Sequence, residues 1–140
     1  MYVEITGRRT GKTTRMVEDI VNFLETNRDK NALVIAPDNG SRKRLKELIF
    51  EKCGFGCLNR TITSHKMLTP NLNTMKQYVD EFFHLPEKHL VVDKNAYYTG
   101  TPKEEYFNGL YQEIYKVYQE ENGSMVTKKP LKRHGFGGNN

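Results

Sequence analysis

At 140 residues the chain has room for one compact domain and none for a motor domain joined to a nuclease. Hydrophobic residues make up 36% and charged residues 28%, an ordinary globular balance, and no apolar run is long enough to span a bilayer. Of the net charge of +5, four charges (Lys128, Lys129, Lys132 and Arg133) fall in the Gly-rich stretch 122–140, which holds no acid. The division expected is a domain over 1–121 and a basic, flexible tail over 122–140, able to meet a polyanion. The opening residues pass straight into a strand pattern with no leader-like segment, so the expected location is cytoplasmic, or host cytoplasm for a viral protein.

Tyr2 to Thr6, YVEIT, alternates and is rich in β-formers, which predicts a first strand. Lys12 to Asn27 predicts a helix with Val17, Ile20, Val21 and Leu24 on one face. Asn31 to Pro37, NALVIAP, is a continuous apolar run ended by proline, the pattern of a parallel strand buried on both faces. Asp38, Asn39 and Gly40 then form a turn, with Ser41 as the expected cap of a helix to about Lys52. That helix buries Leu45, Leu48 and Ile49 and turns Arg42, Lys43, Arg44 and Lys46 outward.

Cys53 and Cys57 follow, in CGFGC, without metal-ligand spacing to His65, His84 or His89. They read as a helix-ending turn rather than a zinc site, and a cytoplasmic protein gives no reason to expect a disulfide. Arg60 to Ser64 predicts a short strand. Asn73 to Phe83 predicts a helix, because Met75, Tyr78, Val79 and Phe82 recur at helical spacing. His89 to Asp93, HLVVD, predicts another buried strand. A last helix follows Thr99–Pro102, with Phe107, Leu110, Tyr111, Ile114, Val117 and Tyr118 on its apolar face. Strands alternating with helices predict an α/β three-layer sandwich around a mostly parallel sheet of about four to five strands.

The stretch Thr6 to Thr14, TGRRTGKTT, carries the chemistry. A phosphate-binding loop reads G-x-x-x-x-G-K-[ST] between a strand and a helix. Gly11, Lys12 and Thr13 supply its second half, while Thr6 stands where the first glycine is usual. Gly11 lets backbone N–H groups turn onto phosphate oxygens beside the helix N-terminus. Lys12 is expected to be a solvated loop residue that reaches the β and γ phosphates, and Thr13 offers a hydroxyl to Mg²⁺. The loop residues Gly7, Arg9, Thr10, Gly11, Lys12, Thr13 and Thr14 would surround the phosphates, with the Arg9 side chain facing solvent. Such a loop works with a strand ending in Asp, and LVVD offers Asp93, with Asp38 as a weaker rival.

GRRTGKTT resembles the ATPase loop of viral large terminase subunits, the motors that package DNA into capsids. ALVIAPDNGSRKRLKELI, TITSHKML and LVVDKNAYY resemble successive segments of terminase and helicase ATPase cores, so the resemblance spans roughly residues 1–95. It implies a P-loop NTPase fold with ATP and Mg²⁺ as ligands. Lys12 and Thr13 would hold phosphate and metal, Asp93 would stand on the metal side, and Arg8 would be an arginine supplied in cis to the γ-phosphate. It also implies a role in viral DNA packaging or processing, with a viral or host DNA-processing protein as partner; on charge, the basic tail and the Arg42–Lys46 face are where DNA is expected to bind.

The chain departs from that pattern after Asp93. Where the family has a glutamate that activates water, this chain has Lys94, which cannot accept a proton. Glu104 and Glu105 are the substitutes at hand. The alternative expectation is therefore a catalytically degenerate module that binds DNA or a DNA-processing partner. A nucleotide or nucleoside kinase is a third reading, for which no acceptor site or lid arginines stand out. Thr99–Pro102, TGTP, resembles the family's coupling motif but reads more readily as a helix cap, with Thr101 at the cap, Pro102 at the first helical position and Glu104 at the third.

Overall fold

The computed structural model describes residues 1–65, 71, 73–85, 92–102 and 112–116. Its centre is a five-stranded sheet in which every described pairing is parallel. The strands are β1 (Tyr2–Ile5), β2 (Asn31–Ile35), β3 (Thr61–Ser64), β4 (Met75–Val79) and β5 (Tyr97–Gly100), in the spatial order β1-β5-β4-β2-β3. Helices α1 (Lys12–Thr26), α2 (Asn39–Cys53) and the single turn α3 (Phe55–Leu58) connect the first three strands. The α/β class and the mostly parallel sheet expected from the alternating pattern are present, with helices flanking the sheet.

β2 shows why a continuous apolar run suits this sheet. Leu33 and Ile35 join one core with Val3, Ile5, Val79, Phe82, Phe83 and Tyr98, while Ala32 and Val34 face the opposite core. That second core lies under α1 and α2, which contribute Met16, Val17, Ile20, Leu24, Leu45 and Ile49. Residues 112–116 are helical, and their Ile114 is fully buried in the first core. Both faces of the sheet are therefore covered, as a parallel sheet requires. Asp38, not Ser41, caps α2: its carboxylate accepts from the Ser41 backbone N–H at 2.7 Å, because Ser41 already lies inside the helix.

Two sequence expectations change. The predicted helix Asn73–Phe83 is instead β4 followed by a short 3-10 turn, Phe82–His84. Its apolar residues do recur at helical spacing, but Tyr78 and Val79 alternate between the two cores, and Phe82 and Phe83 come from the turn. The last strand among the described residues is β5 at Tyr97–Gly100, after the expected His89–Asp93. Val92 and Asp93 lie outside any strand, and residues 89–91 are outside the described residues. Thr99 and Gly100 close β5, and the helix that Thr101 was expected to cap lies outside the described residues. Most of the predicted last helix, with Glu104 and Glu105, and the tail 122–140 also lie outside the described residues.

Cys53 and Cys57 form a disulfide with Cα atoms 5.7 Å apart, against the expectation of a simple helix-ending turn without one. Gly54, with φ 76°, ends α2 and starts α3, folding Cys57 back toward Cys53 within the span a disulfide bridges. Among the described residues, no helix is long and apolar enough to cross a membrane.

Candidate functional site

In a parallel sheet the carboxyl ends of the strands open together, and ligands sit in the crevice beyond them. Here Ile5 of β1 lies opposite Gly100 of β5, and Tyr98 of β5 lies opposite Val79 of β4. The register therefore delivers three segments to one edge: the Gly loop after β1, Asp80 and Glu81 after β4, and Thr101 after β5. The Thr6 N–H donates to the Gly100 carbonyl at 3.2 Å, which fixes the start of the loop against β5.

Gly11 precedes α1 with φ 85°, a left-handed conformation in which an added Cβ would also stand 3.0 Å from the Arg15 guanidinium. α1 then begins at Lys12, whose side chain is only 6% exposed. This corrects the expectation of a solvated Lys12: its ammonium donates to the Gly7 carbonyl at 3.2 Å and pairs with the Glu81 carboxylate at 3.2 Å. Arg8, Arg9 and Thr10 are exposed. A cleft of about 240 Å³ is lined by Arg8, Arg9, Lys12, Thr13, Glu81, His84 and Thr101. A neighbouring cleft of about 320 Å³ is lined by Thr13, Gly40, Ser41, Arg44, Leu45 and Asp80. Thr13 lines both clefts, with Glu81 on the wall of one and Asp80 on the wall of the other.

Asp80 and Glu81 were hidden by the helical reading of residues 73–83. Thr99 bridges them, donating its hydroxyl to Asp80 at 2.9 Å and accepting the Glu81 N–H at 3.1 Å. Thr101 holds the Glu81 carboxylate by its N–H at 3.0 Å and its hydroxyl at 2.8 Å. Burial pushes the Asp80 carboxyl up to about 6; the Thr99 hydrogen bond works against that rise, and the adjoining Glu81 adds to it. The buried Asp80 carboxylate lines the same cleft as Thr13, and carboxylate and hydroxyl oxygens are the donors that a hard divalent cation such as Mg²⁺ takes. A cation there would take its remaining oxygens from phosphate and water.

Asp93 and Lys94 lie elsewhere. Asp93 is in the turn before β5, where its N–H donates to the Tyr98 hydroxyl at 2.9 Å and its carbonyl accepts the Ala96 N–H at 3.1 Å. Because the strands are parallel, that turn is at the amino edge of the sheet and the Gly loop is at the carboxyl edge. Lys94 is exposed in the same turn. Among the described residues, the acids that the strand ends bring to the open side of the loop are Asp80 and Glu81. The signal for them was present in the sequence as Tyr78-Val79-Asp80-Glu81, a β-forming apolar pair running into two acids. Asp38 is engaged as the cap of α2. Thr14 is exposed on α1 and lines a separate groove with Val17, Leu48, Glu51 and Lys52.

The chain matches no protein-family model and no curated protein sequence.

Proposed function

We propose that the chain binds Mg²⁺–ATP in this crevice and hydrolyses its terminal phosphoanhydride bond. One observation carries the reading: the Lys12 ammonium, at the head of a helix behind a Gly loop, sits 3.2 Å from Glu81, just past the end of β4, which β5 separates from β1 in the parallel sheet. Phosphate oxygens would take the loop N–H groups, the start of α1 and Lys12. Thr13 and Asp80 would hold Mg²⁺, which supplies charge neutralisation to the phosphates when bound. Glu81 has the chemistry that Lys94 lacks, because a carboxylate can orient water and accept its proton. Its two bonds from Thr101 fix that carboxylate at the wall of the cleft. Arg8, exposed on the same cleft, is the residue to meet charge on the departing phosphoryl group.

The resemblance to terminase and helicase cores supports a DNA-packaging or DNA-processing setting for this ATPase. The exposed Lys43, Arg44 and Lys46 on α2, beside the half-buried Arg42, are a surface suited to a polyanion. The site reading is tested by titrating the folded Lys12→Ala protein with Mg²⁺–ATP. Lys12 contacts both Gly7 and Glu81, so its removal should weaken binding by at least about tenfold, the range of a lost charge-assisted contact. Equal affinity in wild-type and folded variant protein would exclude this crevice as the nucleotide site.

A further inference from the structure

Thr6 stands where a phosphate loop usually has its first glycine, and it is 1% exposed. Its hydroxyl donates to the Thr10 hydroxyl at 2.7 Å, across the width of the loop, with the Glu4 carboxylate 3.5 Å away as the alternative acceptor for the same proton. The Thr10 hydroxyl in turn donates to the Gly7 carbonyl at 2.8 Å, and that carbonyl also accepts Lys12. Beneath the loop, Glu4 is fully buried in β1 and ion-paired to Arg15 of α1, with the Arg15 Nε donating at 3.1 Å. Tyr2 adds a third donor to the same carboxylate at 3.3 Å. The strand before the loop and the helix after it are thus tied through Glu4 and Arg15, and the loop is closed across its middle by Thr6 and Thr10. Neither tie uses a backbone N–H that a phosphate would need.

We infer that Thr6, with Thr10 and the Glu4–Arg15 pair beneath, is a positioning device that sets the phosphate loop in its anion-binding shape before nucleotide arrives. The inference rests on the proposed nucleotide reading for its purpose, but the preset loop is a property of the empty protein. A glycine at position 6 would supply freedom that this loop does not use and remove the hydroxyl that closes it. Restoring the usual glycine should therefore weaken binding, opposite to what the bare motif suggests. A preformed site avoids the ordering cost that a floppy loop meets on binding.

The experiment uses the full chain with Thr6→Val, Thr6→Gly and Thr6→Ser, and has two readouts. In nucleotide-free protein, amide hydrogen exchange over residues 7–13 should quicken in the Val and Gly variants and stay near wild type in the Ser variant, which keeps the hydroxyl. In a Mg²⁺–ATP titration, the Val and Gly variants should bind about 3–10-fold more weakly, the worth of one hydrogen bond, with little change in turnover at saturation. Thr6→Ser should bind like wild type. Unchanged loop exchange in both the Val and Gly variants would overturn the inference. Quickened exchange with no ATP binding by wild-type protein would uphold the preset loop and defeat the nucleotide reading instead. If Thr6→Val fails to fold, the Gly and Ser pair decides the matter alone.

Discussion

Glu81 holds a left-handed backbone conformation, φ 51° and ψ 56°, that costs a non-glycine residue about 1 kcal/mol or more. The fold offsets this with the Thr99 hydroxyl on its N–H, two bonds from Thr101 to its carboxylate and the Lys12 ion pair. Strain held by so many partners marks the residue that turns an acid from the end of β4 toward the loop. Lys94 has no such surroundings: it is exposed in a turn at the far edge of the sheet. Lys94→Glu should therefore leave ATP turnover within about twofold of wild type, the small effect usual for an exposed site. A clear rise in phosphate release by that variant would return the catalytic position to residue 94. The Gly loop itself was legible from residues alone, because Gly11, Lys12 and Thr13 stand between a strand pattern and a helix pattern. The acids were not, because LVVD looked more strand-like than QYVDE.

Elements β4 and β5 explain that difference. Four to five residues of strand leave too little sequence for a period of two to outweigh a chance match to helical spacing. Met75, Tyr78, Val79 and Phe82 made such a match, although Tyr78 packs under α1 and Phe82 on the other face. TGTP runs from the end of β5 into the loop beyond it, and its Thr99 and Thr101 bond to Asp80 and Glu81 just past β4, a contact no local pattern reveals. Gly100 between them has its own reason. A Cβ there would stand 2.8 Å from both Phe82 and Phe83, whose rings stack 4.3 Å apart. Gly100→Ala should cost about 1–3 kcal/mol through overpacking, seen as a fall of several degrees in Tm. An unchanged Tm would mean that the aromatic turn yields freely and does not brace the acids.

At the scale of the molecule, a parallel sheet covered on both faces gathers the ends of β1, β4 and β5 at one edge and leaves the Asp93 turn at the other. The class of fold was readable because β2 is apolar throughout and α1 is amphipathic; the strand order was not, since pairing depends on residues far apart in sequence. The central claim is that Glu81 activates water for a phosphate held by Lys12. It is tested most directly by measuring Mg²⁺–ATP affinity and single-turnover phosphate release for wild type and Glu81→Gln side by side. The account predicts that the glutamine variant binds within about threefold of wild type while release falls by about 10²–10⁴-fold, the usual contribution of a positioned base. Release by Glu81→Gln at the wild-type rate would contradict it.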